Sequence, residues 1–513
     1  MQIEAFFKKN KIYSDASCED AARATFRRGE QICKITNKRL DHYMLNRDRL
    51  DPDVDKMVAR MERWISSTLG NYTTFLTALP KEVRVTAGAT STRPRKQALP
   101  HTKVGARQTC TPAAFKYLSA LASFWGCEQP VQRTTVTNRV ETVPKNWKTH
   151  RTIACEPEGN IPLQLAFDSY AKRRLRFRGI DLCDQSRNQL MAKQASIDGV
   201  NATIDMSMAS DTVSYNAVAA LFPTEWFAYL CDIRSPCYLD DDKKIVKYEK
   251  FSSMGNGSTF SIETLIFSAA CYAVGSKTFS VYGDDIVIEA ELVPSLLRIM
   301  RFFGFIINQE KSHISGPFRE SCGVNCYEGI DITPFYLRDI NKLKANWCHI
   351  VNGLVAISSP GGELEKLILD IVKEKRLPIV PFDDDTMSGV HVDVHSAYSK
   401  GLLKAGKRSS LRQKQDAARK GRLLQDPQSV YYYRYVAKVG RYKVSRSRTY
   451  LLWHLLAQNR QGPIGRYDMR GEPLESSWVP TSSHKYVRKW VYWFPPVAGT
   501  PLHLYRWGDL FIA

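Results

Sequence analysis

The chain has 513 residues, 43% hydrophobic and 24% charged, and its 73 Lys and Arg exceed its 52 Asp and Glu to leave a formal charge of +21. That length is too great for one ordinary core and predicts two or three lobes of a globular protein. No run of about 18 apolar residues occurs, which argues against a membrane span, and Met1 to Ser14 lacks the apolar stretch of a signal peptide. The excess of positive charge fits a polyanionic partner, since each neutralised phosphate releases a counterion; a ribosomal or membrane-surface protein would share it.

From Met1 to about Val140 the sequence reads as helices and loops. Asp55 to Ile65 carries apolar residues at helical spacing, and Thr111-Pro112 opens a capped helix that runs through Trp125. Thr86 to Thr102, with Arg93, Arg95 and Lys96, reads as a solvated loop in preference to a template contact. A basic segment follows: Lys145, Lys148, Arg151, then a helix from Pro162 through Tyr170 that ends in Lys172-Arg173-Arg174. Basic residues at that end also suit the helix macrodipole.

Val200 to Ile204 alternates as a strand with Val200, Ala202 and Ile204 on one face, and Asp205 sits where it stops. Asp240-Asp241-Asp242 reads as an exposed hairpin tip. In Ser253 to Phe260, Gly255 and Gly257 bracket Asn256 ahead of a helix beginning near Ser261. That is either a plain turn or a place where backbone comes close to a template or nucleotide.

Ser280 to Glu289 has two short apolar runs around Gly283-Asp284, the pattern of a two-residue hairpin in which Gly283 takes a positive φ. Such a turn displays Asp284 and Asp285, and adjacent carboxylates either face water or hold a hard cation. If the 200–204 strand pairs beside this hairpin, Asp205 meets both, and three carboxylates can grip two cations about 3.5–4 Å apart, as in-line phosphoryl transfer requires. Val293 to Phe303 reads as an amphipathic helix, and Lys311 follows at a strand start, where a solvated lysine is the plain reading.

The 12 cysteines are scattered. Cys322 and Cys326, with His313 nearby, have loose zinc spacing without a second pair to complete four ligands, so reduced, buried thiols in a cytoplasm are expected. From Ser399 to Arg448 the chain is densely basic, with Tyr431-Tyr432-Tyr433 interleaved, which suits either stacking of bases or a partner-binding tail. Trp478, Trp490 and Trp493 argue for a packed end.

Three of these stretches, Asp205 to Asp211, Ser253 to Phe260 and Tyr282 to Asp285, resemble in order and spacing the palm motifs of viral RNA-directed RNA polymerases. More narrowly, Val143 to Thr149, Gly179 to Leu182, Gly316 to Gly323 and Asp331 to Tyr336 are similar to the replicase catalytic beta subunit of the small positive-strand RNA bacteriophages, the levivirus type. The likeness is specific from about Val143 to Arg338.

The resemblance implies an α+β right-hand polymerase. Its N-terminal region and fingers would take 1–196, including the basic segment 143–178 where nucleotides enter. A palm with an antiparallel sheet would take 197–338, and a helical thumb with the basic C-terminal region 339–513. It further implies RNA-templated addition of ribonucleoside triphosphates to a 3′-hydroxyl, with two Mg²⁺ on Asp205, Asp284 and Asp285, for which Mn²⁺ could substitute. By the same likeness Lys311 is a general acid beside the pyrophosphate, Lys145, Lys148 and Arg151 clamp the triphosphate, and Asp211 with Asn256 reads the ribose 2′-hydroxyl. The implied partners are RNA template and product, host elongation factors Tu and Ts and a small-subunit ribosomal protein, in the cytoplasm of a bacterial host. Two rivals remain: a reverse transcriptase, against which Gly283 and the Asp211 and Asn256 pair argue, and a basic RNA-binding protein with inert motifs.

Overall fold

Gly283 makes the central hairpin possible. Its φ is +62°, whereas Asp284 stays out of the left-handed region, so only the first of the two turn residues needs glycine. A side chain there would also run into the Phe260 ring, so the position excludes other residues twice over. The computed structural model describes residues 16–47, 51–95, 98, 103, 108–124, 131–145, 149–334, 344–355, 363–381, 389–392, 430–437, 440–443, 478–481 and 486–493. These fall into two compact units, one within Ile12–Pro334 and the other within Phe335–Lys443 and Trp478–Ala513, and both mix helix with sheet. No helix among the described residues is long and apolar enough to cross a membrane.

In the first unit Asn201–Ile204, Asp285–Glu289 and Ser280–Tyr282 form a three-stranded antiparallel sheet, in that spatial order. Ile286 lies opposite Ile204 and Tyr282 opposite Asp285. Ala202, Ile204, Ile286, Val287 and Ile288 are all buried, so neither face of the sheet is open to solvent there. Val200, expected in this strand, precedes it and is exposed. The helix Ser186–Asp198 rests against all three strands, and Thr259–Ala273 against the outer one. Thr259–Ala273 is apolar nearly all round, which is the pattern of a wholly enclosed helix. It also packs on Pro52–Leu69, capped by Asp51 accepting from the Asp53 N–H, with proline in its first turn and closed by Gly70 at φ +71°.

The expected 162–170 helix extends over Asn160–Phe177. Its basic end serves the fold: Lys172 pairs with Asp168 at 2.9 Å, Arg173 with Glu82 and Arg176 with Asp181 at 2.9 Å, and Arg174 Nε donates to the Thr68 carbonyl at 2.6 Å. The segment expected as a solvated loop is pinned over 90–93. Thr90 donates to buried Glu158 at 2.7 Å, Arg93 pairs with it at 3.5 Å, and Ser91 N–H donates to the Glu156 carbonyl at 3.0 Å. Arg95 is exposed, and Lys96 lies outside the described residues. Asp240 to Asp242 form the expected tip between Cys237–Leu239 and Ile245–Lys247, where Asp241 receives Arg23 and Arg27 at 2.6 and 2.8 Å. All described cysteines are free thiols, and no zinc set forms among them.

A buried carboxylate fixes the hairpin Thr137–Pro144 and His150–Cys155 to this unit. Glu156 accepts from Asn138 at 3.0 Å, Gln164 at 3.2 Å and the Ser235 N–H and hydroxyl at 3.1 and 2.9 Å. Its pKa is nonetheless raised by burial.

In the second unit Lys344–Val355 packs on Glu363–Lys375 through Cys348, Val351, Val355 and Ile368. Strands accompany these helices in the region expected as a helical thumb. Val430–Ala437 pairs antiparallel with Tyr486–Trp493, and Gly440–Lys443 with Trp478–Thr481. The run of valine and tyrosine from Val430 to Val436 favours pleated over helical backbone.

Candidate active site

The sheet register, carried one residue past Ile204 and Ile286, sets Asp205 across from Asp285, with Asp284 at the neighbouring turn. A cleft of about 670 Å³ opens beside this point, and Asp205, Asp284, Lys145, Arg151, Asp211, Asn256 and Lys311 all stand on its wall. Residues from five separate stretches of sequence thus meet in one cavity.

Asp205 is held from both ends. Its backbone N–H donates to Ser312 Oγ at 3.0 Å, while Asn308 Nδ2 donates to its carboxylate at 2.7 Å and Lys311 Nζ lies 3.9 Å away. Burial raises its pKa, Lys311 pulls it down and the Asp284 charge raises it again. The carboxylates therefore sit close enough to repel, which a bound cation relieves.

Asp285 departs from expectation. Its carboxylate accepts from the Cys322 backbone N–H and thiol, on a turn where Cys322 has φ +48°, and it does not line the cleft. Burial and then the Asp284 charge raise its pKa to about 7, and the thiol is pushed up to about 12 by burial and then by Asp285. Among the described residues no three His, Cys, Asp or Glu side chains lie close enough to share one ion. The structure brings together Asp205 and Asp284, with oxygen donors that suit a hard cation, and leaves Asp285 one step aside.

Lys145 and Arg151 flank the tip of the 137–155 hairpin, where the Lys145 N–H donates to the Thr149 carbonyl at 3.0 Å. The Lys145 pKa is lowered by its setting against the cleft wall, then by the charges of Arg151 and Lys311, against the pull of Asp284 and Asp205. Lys148 lies outside the described residues.

Asp211 is buried, and Lys250 Nζ donates to its Oδ1 at 2.9 Å while standing 3.6 Å from Glu30 Oε1. Asn256 Oδ1 accepts from the Ser258 N–H at 2.9 Å and hydroxyl at 2.7 Å, so what it can offer a ribose is its Nδ2 donor pair. The glycines beside it serve the protein: a Cβ at Gly255, φ +110°, would strike the Ala154 carbonyl, and one at Gly257 would crowd Gln164 and Leu165. Close backbone approach is real here, but to neighbouring elements of the chain.

Residues 3–464 match the family described as RNA replicase, beta-chain. The chain belongs to this family. Its relatives include the RNA-directed RNA polymerase subunit beta of Enterobacteria phage SP, 36% identical over 71% of this chain and 64% of that protein. That of Escherichia virus Qbeta is 37% identical over 69% and 61%, and the beta chain of Escherichia phage MS2 36% over 61% and 60%. The match to this family member thus spans less than two thirds of these relatives' own length. Among solved structures, the BmCPV RNA-dependent RNA polymerase at elongation state aligns with a TM-score of 0.41 at 11% identity, over 70% of this chain and 36% of that one.

Three residues in or directly behind this replicase-family cleft went unnoticed in the sequence. Asn308 and Lys250 act through pairings 103 and 39 residues away, which no local pattern announces. Glu263 had a signal: it is a single acid in the apolar run from Ile262 to Phe267. Its pKa stands well above the usual range, through burial and then the charges of Asp284, Asp211 and Asp205.

Proposed function

We propose that this chain is the catalytic subunit of an RNA-directed RNA polymerase that replicates a viral RNA genome. The observation that carries the proposal is the meeting of Asp205 and Asp284 with Lys145, Arg151 and Lys311 on one cleft wall: paired acids for cations beside a set of cations for a triphosphate. The substrates are an RNA template and ribonucleoside triphosphates. A 3′-hydroxyl attacks the α-phosphate and pyrophosphate departs.

In this reading Mg²⁺, with Mn²⁺ as a substitute, polarises the hydroxyl and neutralises the leaving charge when bound. Asp205 and Asp284 are its principal ligands, and Asp285 joins them only by releasing Cys322. Lys145 and Arg151 hold the triphosphate, Arg151 in bidentate fashion and Lys145 as a point charge, and Lys148 is assigned the same role. Lys311, half-exposed and 3.9 Å from Asp205, delivers a proton to the departing pyrophosphate. Asp211, oriented by Lys250, and the Asn256 amide distinguish ribose from deoxyribose.

The corresponding architecture is a right hand with fingers within 1–196, palm within 197–338 and thumb within 339–513. Elongation factors Tu and Ts and a small-subunit ribosomal protein are the proposed host partners, in the bacterial cytoplasm. The test is templated extension by the chain purified with its partners. Asp284→Asn should abolish synthesis and leave retention of RNA on a filter unchanged; undiminished synthesis would remove the cleft from the chemistry. Efficient use of deoxynucleotides would reject the ribose-reading pair.

A further inference from the structure

One acid interrupts the otherwise uncharged Thr259–Ala273 helix. Glu263 is only 5% exposed, yet it reaches the cleft wall beside Asp205 and Asp284. Among the described residues its carboxylate has neither a hydrogen bond nor an ion pair. Other buried acids in the same unit are matched: Glu156 has four donors, Asp168 has Arg84, Lys172 and Ser261, and Asp211 has Lys250. A carboxylate on a side chain this buried, given no donor by the protein and open only to the cleft, is costly, so folds seldom retain one that serves nothing.

The partner of Glu263 must come from the cleft, and its surroundings restrict what that partner is. The charges that bear most on Glu263 are negative, those of Asp284, Asp211 and Asp205 on the same wall. A phosphate in direct contact is thereby disfavoured and a cation favoured. Lys311, the ammonium of this wall that pairs within it, faces Asp205. Among the described residues no three acids are close enough to ligate one ion directly, and Mg²⁺ characteristically keeps several of its waters.

We propose that Glu263 is a third carboxylate of the divalent-cation cleft, accepting hydrogen bonds from the water shell of an ion held by Asp284 and Asp205. This rests on the cation-binding reading of the cleft given above. It gives the helix that covers the sheet a direct part in holding the ion. The raised pKa of Glu263 agrees with it, since burial and the neighbouring carboxylates disfavour its charge until a cation is present.

The experiment is a titration of the intact chain, purified with its co-purifying host chains, with Mn²⁺ followed by electron paramagnetic resonance. Glu263→Gln keeps the size and removes the charge; it should weaken Mn²⁺ binding by about 10-fold, the lower end of what water-shell partners contribute. Extension activity of this variant should recover at raised Mn²⁺, which a merely structural residue would not give. Asp284→Asn provides the comparison and should weaken binding further. Normal Mn²⁺ affinity in Glu263→Gln with loss in Asp284→Asn would overturn the inference and leave the cation reading standing; normal affinity in both would overturn both. Failure of Glu263→Gln to fold without metal would also overturn it, because an isosteric amide fails only where protein groups hold the acid.

Discussion

Two groups of acids lie in the same unit and are treated in opposite ways. Glu30 and Asp211 enclose Lys250, which is 0% exposed, bonded to Asp211 at 2.9 Å and set 3.8 Å from the centre of the Phe26 ring. Asp205, Asp284 and Glu263 share a cleft in which the nearest ammonium, Lys311, is 50% exposed and 3.9 Å from Asp205. The first group is closed with a cation that the chain supplies; on the proposed function the second is completed by one that arrives from outside. Around Lys250 the chain closes its acids with a buried ammonium of its own, whereas the acids proposed to hold a cation face the open cleft.

Substitutions can break this contrast from either side. Asp205→Asn or Asp284→Asn should lower templated synthesis by at least about 10³-fold, equivalent to roughly 4 kcal/mol, with no loss of thermal stability in metal-free buffer. Lys250→Met attacks the matched group and should show its main effect in stability. Two buried acids lose their partner, and about 3–5 kcal/mol of stability should go, visible as a lower denaturation midpoint with or without Mg²⁺.

Lys311→Ala should reduce synthesis by about 10²–10³-fold, the range for a lost general acid, and leave the melting temperature unmoved because this ammonium is half in solvent. Retention of full activity would return Lys311 to the status of a solvated surface residue.

The smallest effect concerns pH. Asp285 titrates near 7 in the folded chain, against 3.8 for an ordinary aspartate. Between about pH 4 and 7 the folded state therefore holds a proton that the unfolded state has released. Its contribution to stability is full below about pH 4 and is lost as pH rises through 7, at no more than about 1.4 kcal/mol per pH unit. Denaturation of metal-free protein across this range should show that slope, and Asp285→Asn should flatten it.

Much of the cleft was legible because its parts are local. The hairpin declares itself through Gly283 between β-branched runs, and Asp205 through its place at the end of an alternating strand. Pairings over long separations left no such mark. Lys250 follows Glu249 in what reads as a polar stretch, and only the fold shows that its ammonium meets Glu30 and Asp211. The same holds for Asp285, whose partner Cys322 read as a loose zinc candidate. Basic residues misled in the other direction: Lys172 to Arg176 suit RNA in sequence, yet they are engaged by Asp168, Glu82, the Thr68 carbonyl and Asp181.

The most direct measurement is an anomalous difference map from crystals of the purified complex soaked in Mn²⁺. A peak about 2.1–2.2 Å from carboxylate oxygens of both Asp205 and Asp284 is the predicted result. A cleft without a peak, with Mn²⁺ bound elsewhere on the chain, would contradict the assignment of these acids to metal-dependent phosphoryl transfer.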